Sequence, residues 1–188
     1  MPVQIGQPLE SDFHKPLGLL SDCHRRIERF LNVLLTISRH VHGGQLNAEQ
    51  QESLEVALKY FHDAAPLHTC DEEASLFPRM REKSNGKSAV KLAMLDQLHA
   101  DHSAAGRQHK HVDELANKWL KNGRLTSDEA RLLNDLLEDL SRTYVDHILI
   151  EERDIFPLAA NLLDRAEMKA IAREMASRRG LVFDAETL

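Results

Sequence analysis

Two stretches of the chain pair an imidazole with a carboxylate at helical spacing. His68 precedes Glu72 by four residues, and His147 precedes Glu151 by four. In an α-helix, residues four apart are separated by about 40° around the axis and about 6 Å along it, so each pair projects from one face as neighbouring donors. Two further histidines follow aspartates, in Asp22-Cys23-His24 and Asp101-His102. Four imidazoles and two carboxylates turned into one core would be costly to bury unpaired. A metal removes that cost, and two metals match the number of donors. Imidazole nitrogen with carboxylate oxygen suits iron, manganese or zinc and requires no thiolate.

The donors lie in a repeat. FHDAAPLHTCDEEASLFP begins at Phe61 and YVDHILIEERDIFP begins at Tyr144, and both contain His-x-x-x-Glu-Glu-x-x-x-Phe-Pro. His68, Glu72, Glu73, Phe77 and Pro78 match His147, Glu151, Glu152, Phe156 and Pro157 at an offset of 79 (147 − 68), and His24 matches His102 at 78 (102 − 24). Two halves therefore carry one chemical pattern.

The elements that must position these groups are helical. From Leu17 to Val41, the residues Leu20, Ile27, Leu31, Leu34 and Leu35 form one apolar stripe; Pro16 suits the first turn and Gly43-Gly44 a stop. Asn47 with Gln50 reads as a capping box opening a second helix to about Arg81, kinked at Pro66. A turn at Ser84-Asn85-Gly86 leads to a third helix from about Ser88 to Asn122, with Gly123 as its C′ residue. Thr126 with Glu129 opens a fourth, running to about Phe156, and Asp164 caps a short fifth helix ending before Gly180. No segment alternates with period two for long enough to read as a strand. The expectation is an all-α chain: an up-down-up-down four-helix bundle with a short C-terminal fifth helix, one domain over 1–188, its core at about 14–160 and its extension at about 164–180.

Composition narrows the function. Only 8 glycines and 6 prolines in 188 residues disfavour a turn-rich β fold, and a net charge of −6 gives no basic footprint for nucleic acid. Two cysteines cannot build a disulfide framework, whereas 11 histidines are many. The N-terminus shows no basic region followed by an apolar one, and no apolar run approaches the ~18 residues a membrane span needs, so a cytoplasmic, soluble protein is expected. No glutamate stands three residues before a histidine, which argues against the Glu-x-x-His pairing of ferritin-like sites.

These residues resemble the hemerythrin-like family, the HHE cation-binding domains, over roughly residues 14 to 160. The resemblance rests on His24, the His68/Glu72 pair with Phe77-Pro78, His102, and the His147/Glu151 pair with Phe156-Pro157. It implies a non-haem di-iron site in which Glu72 and Glu151 bridge two iron ions, the four histidines are terminal ligands, and an oxygen from water also bridges; manganese or zinc could replace iron. Two features depart from the oxygen carriers. Leu98 and Gly106 stand four residues either side of His102, where the carriers place a second histidine, and Glu151 and Glu152 stand where the carriers have His-x-x-x-x-Asp. Both metals could then keep an open position. The resemblance therefore implies binding or sensing of oxygen, nitric oxide or peroxide under oxidative or nitrosative stress. The alternatives are a di-iron enzyme of peroxidase or oxygen-reductase type and an iron storage or delivery protein. The expected partner is a small diatomic ligand or peroxide, and an oligomer is compatible.

The remaining polar groups take ordinary roles in this reading. Glu73 and Glu152 face solvent or a neighbouring helix. Asp22, Asp101 and Asp146 are candidates to hold imidazole N–H groups, and His14, His40, His42, His109 and His111 are solvated. His99 is a candidate extra ligand, while the direction of His62 is not set by periodicity. Cys23 and Cys70 are small buried hydrophobes, and the Phe-Pro tails plug the core and end each helix. Gly106, one turn beyond His102, leaves room for an exogenous ligand or simply allows close packing.

Overall fold

An apolar stripe with proline in its first turn builds α1 over Pro16–Val41. It ends where His42 adopts a left-handed conformation (φ 49°) and Gly43 follows at φ 73°. The computed structural model describes residues 11–84 and 89–183, with backbone alone at 89–92. Residues 85–88, which include Asn85-Gly86 of the expected turn and Ser88 of the expected helix start, lie outside the described residues. Among those described there is no strand, and no helix is long and apolar enough to cross a membrane.

The capping box at Asn47 and Gln50 is present in both directions and opens α2, Ala48–Asp63. The chain then breaks at Ala64, and Pro66 falls in the first turn of α3, Ala65–Asp71. Proline has no N–H to give the carbonyl four residues back and its ring crowds that carbonyl, so the break stands where the kink is expected. A π-helical turn over Glu72–Leu76 follows, then α4, Phe77–Lys83. The long α5 spans Ala89–Asn122, and Gly123 (φ 72°) ends it. The Thr126/Glu129 capping box opens α6, Ser127–Ile150, followed by a second π-helical turn at Glu151–Ile155 and by α7, Phe156–Leu162. Asp164 accepts from the Glu167 N–H and caps α8, Arg165–Arg178.

The Phe-Pro tails therefore do not end their helices. Pro78 and Pro157 would each clash with a carbonyl four residues back in a continuous α-helix. The wider π-turn answers this: the Phe77 N–H donates to Glu72 O and the Phe156 N–H to Glu151 O, five residues back, and the helix resumes.

α1 packs against α2 and α6, and α5 against α6 and α2, which closes a ring of four helical runs. The loops after α1 and α5 share one end, where the Leu125 N–H donates to Gly43 O at 2.8 Å and the indole of Trp119 donates to Gly44 O at 2.7 Å. Two apolar clusters fill the interior. One holds Ile27, Leu34, Ala65, Ala105, Trp119 and Leu140; the other holds Leu20, Leu76, Leu98, Ile155 and Met175. On every run the chain crosses from one cluster to the other at a histidine: His24 after Leu20, His68 after Ala65, His102 after Leu98, and His147 after Leu140. A polar layer is thus sealed between two apolar ones. α8 covers the first half, held by Arg178 and Arg179 on the fully buried Asp71 at 2.8 and 2.7 Å and by Arg79 on Glu174 at 2.6 Å.

Candidate metal centre

The sequence places six donors on four separate helical runs, and the fold brings all six together. His24 comes from α1, His68 from α3, His102 from α5 and His147 from α6, while Glu72 and Glu151 are the first residues of the two π-turns. Both glutamates are fully buried, and His24, His68 and His147 are at most 3% exposed.

The donors fall into two overlapping sets, His24/His68/Glu72/Glu151 and His102/His147/Glu72/Glu151, with the donor atoms of each set within 4.8 Å of one another. The carboxylates divide their oxygens between the sets. Glu72 Oε1 lies 3.5 Å from His68 Nε2 and 3.8 Å from His24 Nε2, and its Oε2 lies 3.4 Å from His102 Nε2. Glu151 Oε2 lies 3.1 Å from His24 Nε2, and its Oε1 lies 3.2 Å from His147 Nε2. Each set also has its own imidazole pair, with ring centres 4.9 Å apart for His24/His68 and 4.6 Å apart for His102/His147.

These atoms converge without satisfying one another. His24 Nε2, His147 Nε2 and all four oxygens of Glu72 and Glu151 are buried with no hydrogen-bond partner, and so is His68 Nδ1, the nitrogen opposite the one that faces Glu72. Seven such atoms in one apolar sleeve would each cost ~1–3 kcal/mol if left unpaired. Protons relieve part of that cost. Burial pushes the His24 imidazole down, but Glu151 and Glu72 outweigh it and hold it at about 10; burial likewise acts on His102, which Glu72 and Glu73 hold at about 9. On His68 burial wins, and its pKa is lowered. Burial pushes Glu72 up, but His68, His102 and His24 hold it well below the usual carboxylate range. Two cations on nitrogen beside two carboxylates are the arrangement that a divalent metal replaces, and the nitrogen-oxygen donor set fits one.

Of the two expected placements of the second glutamate in each Glu-Glu pair, solvent or a neighbouring helix, the structure shows the neighbouring helix. Glu73 Oε1 accepts from His102 Nδ1 at 2.8 Å, and Glu152 Oε1 accepts from His24 Nδ1 at 3.0 Å. Phe77 lies parallel to the His102 ring (6.4 Å, 6°) and Phe156 parallel to His24 (5.4 Å, 10°). Each Glu-Glu-x-x-x-Phe motif therefore grips the upstream histidine of the other half. Holding Nδ1–H fixes the tautomer and leaves Nε2 free to ligate.

Of the three aspartates expected in this role, one comes near: Asp101 Oδ2 lies 3.5 Å from His147 Nδ1. Asp22 instead accepts from the Ser11 N–H and pairs with Arg25, and Asp146 is exposed. Cys23 stands where Asp101 stands in the second half (23 + 78 = 101), and His68 Nδ1 has no partner. Burial pushes the Cys23 thiol up to about 11, so it offers no thiolate at neutral pH; Cys70, expected to be buried, is exposed. His99 points to Glu73 at 2.8 Å from an exposed position and is absent from the donor sets, and His62 is exposed on Asp63.

His14, His40, His42 and His111 are exposed as expected, but His109 is not. It is part-buried, stacks on Phe61 (4.4 Å) and shares a 3.0 Å hydrogen bond with the Tyr144 hydroxyl. Tyr144 in turn lines the space between the imidazoles with Ile27, Ala65, Thr69 and Ile148, a cavity of about 10 Å³, room for about one water. Leu98 is fully buried in the apolar layer and ligates nothing, as its type demands. Gly106 does not line this cavity; it borders a cleft outside it, and a Cβ there would meet nothing within 4 Å.

Residues 15–159 match the family model of the hemerythrin HHE cation-binding domain. The chain is also similar to an uncharacterized protein of Haemophilus influenzae, 26% identical over 180 residues that span 94% of this chain and 98% of that one.

Proposed function

We propose that this chain, which belongs to the hemerythrin HHE cation-binding domain family, is a di-iron protein that binds or senses dioxygen, nitric oxide or peroxide. Its membership and its His/Glu cluster make it a metal-binding protein; the ligand set, the stoichiometry and the small-molecule chemistry are the proposal. His24 and His68 would hold one iron, His102 and His147 the other, with Glu72 and Glu151 shared between them. The observation that carries this is the set of six buried, unpartnered donor atoms in one layer, His24 Nε2, His147 Nε2 and the four oxygens of Glu72 and Glu151.

Two histidines and two shared carboxylates leave each metal coordinatively open. Among the described residues the positions four either side of His102 add no donor: Leu98 is apolar and Gly106 borders the outer cleft. An open ferrous site supplies redox and ligand-binding chemistry towards small oxidants. The chain's own contribution is to hold the imidazoles by Glu73, Glu152, Phe77 and Phe156 and to exclude bulk water with two apolar layers. Anaerobic titration with ferrous iron tests the reading: two equivalents bound per chain, followed by a new visible absorption on exposure to nitric oxide, is the expected result. A chain that retains no iron, or loaded protein silent towards nitric oxide, dioxygen and peroxide alike, would refute it. Steady peroxide consumption with a reductant would instead mark an enzyme, and loss of iron to an apo-acceptor would mark a donor.

A further inference from the structure

Among the described residues, the wall of the space between the imidazoles is hydrogen-bonded to the wall of a second, more open space. Beside the break at Ala64 a cleft of about 290 Å³ opens, walled by Leu34, Leu58, Phe61, Pro66, Val112 and Gly106. His109 belongs to the wall of this cleft, and Tyr144 belongs to the wall of the metal cavity. Their 3.0 Å hydrogen bond joins the walls of the two spaces. Three features make the outer space suitable for small neutral molecules. Its walls are mostly apolar. His109 is uncharged at neutral pH, because burial pushes it down to about 4. And the Pro66 break and the missing side chain at Gly106 keep the space between α2, α3 and α5 unfilled. The charged groups facing it, Lys110 and Asp113 with the exposed His62, border it beside these walls.

We propose that this cleft is a vestibule that binds small uncharged molecules, no larger than peroxide, and passes them to the metal cavity past the Tyr144–His109 hydrogen bond. The inference rests on the metal reading above. Gly106 is the position at which to test it. A side chain there enters open space and replaces glycine in mid-helix, so Gly106→Leu fills the vestibule without disturbing the fold.

Two measurements separate the vestibule from the metal site. In metal-free crystals under xenon pressure, a xenon atom is expected against Phe61 and Gly106 in the parent and none in Gly106→Leu; an empty parent cleft would overturn the proposal whatever the metal does. In iron-loaded, reduced protein, stopped-flow mixing with nitric oxide should show association and dissociation both slowed at least tenfold by Gly106→Leu. Iron content and equilibrium affinity should be unchanged, because an obstructed route slows both directions equally. Tyr144→Phe, which removes the hydroxyl and keeps the ring, should speed both. An unaltered association rate in Gly106→Leu, or a loss of affinity carried by dissociation alone, would show that ligands do not enter here. A parent that binds no iron refutes the metal reading and leaves the xenon result to judge the cleft.

Discussion

Replacing Glu73 with alanine removes the acceptor that fixes His102 Nδ1 at 2.8 Å while leaving all six donors in place. Carboxylates behind metal-bound imidazoles are typically worth 10- to 100-fold in metal affinity, or ~1.4–2.7 kcal/mol. Glu73 is 27% exposed and Glu152 is 43% exposed, so water substitutes less readily at Glu73. Glu73→Ala should therefore weaken binding ~30- to 100-fold and Glu152→Ala about tenfold. At free metal tenfold above the parent dissociation constant, mass action stabilises the parent by ~1.4 kcal/mol but a 30-fold weaker variant by only ~0.2 kcal/mol, so the metal-dependent rise in melting temperature should nearly vanish in Glu73→Ala. Competition for ferrous iron against a chromophoric chelator, under anaerobic conditions at pH 7, measures the affinities. The exposed Glu82→Ala serves as control and should match the parent. Affinities within twofold of the parent in both Glu73→Ala and Glu152→Ala would show that these carboxylates do not support the metal.

Replacing His68 and His147 together with alanine should abolish stoichiometric loading, read by elemental analysis; a fully loaded double variant would remove both from the ligand set. In the metal-free protein, His24 is held at about 10 and His102 at about 9, above the free value of ~6.5. Their contribution to stability is complete below pH ~6.5 and is lost as pH rises through about 9 to 10, so the metal-free protein should melt lower at pH 10 than at pH 7. Loading at pH 7 should also release about two protons per chain into unbuffered medium, and an absence of release would contradict the assignment. Asp71 is fully buried between Arg178 and Arg179, which are 19% and 23% exposed and can regain water. Asp71→Ala should therefore cost ~3 kcal/mol in urea unfolding, the low end for breaking a buried pair, and a cost below ~0.5 kcal/mol would show that α8 is not anchored there.

The clustering of the six histidine and glutamate residues was legible because the pattern occurs twice: one His-x-x-x-Glu is common in a helical protein, but two with matched flanks at a fixed offset are not. Both capping boxes, the Pro66 break and the stop at Gly43 were legible for local reasons, since each is a hydrogen bond made or forbidden within four residues. The π-turns were missed because no residue type favours them. Their signal lay in the spacing. Glu72 to Phe77 is five residues, which a continuous α-helix places about 140° apart, on faces too far apart for both to meet one site. The Pro at 78 and 157 marked where a continuous helix would clash. Glu73 and Glu152 were legible only as facing solvent or a neighbouring helix: their roles depend on which neighbouring helix stands beside the π-turn, and only the assembled bundle shows that the motif of one half holds the histidine of the other. His109 failed as a solvated histidine because its burial comes from Phe61 and Tyr144, on two other helices.

X-ray absorption at the iron edge of anaerobically loaded protein tests the central claim most directly. Two irons sharing Glu72 and Glu151 should give an iron–iron vector of about 3.5–4 Å, as in other two-metal sites, with first-shell scattering from nitrogen and oxygen alone. A single isolated iron, or sulfur in its first shell, would contradict the account.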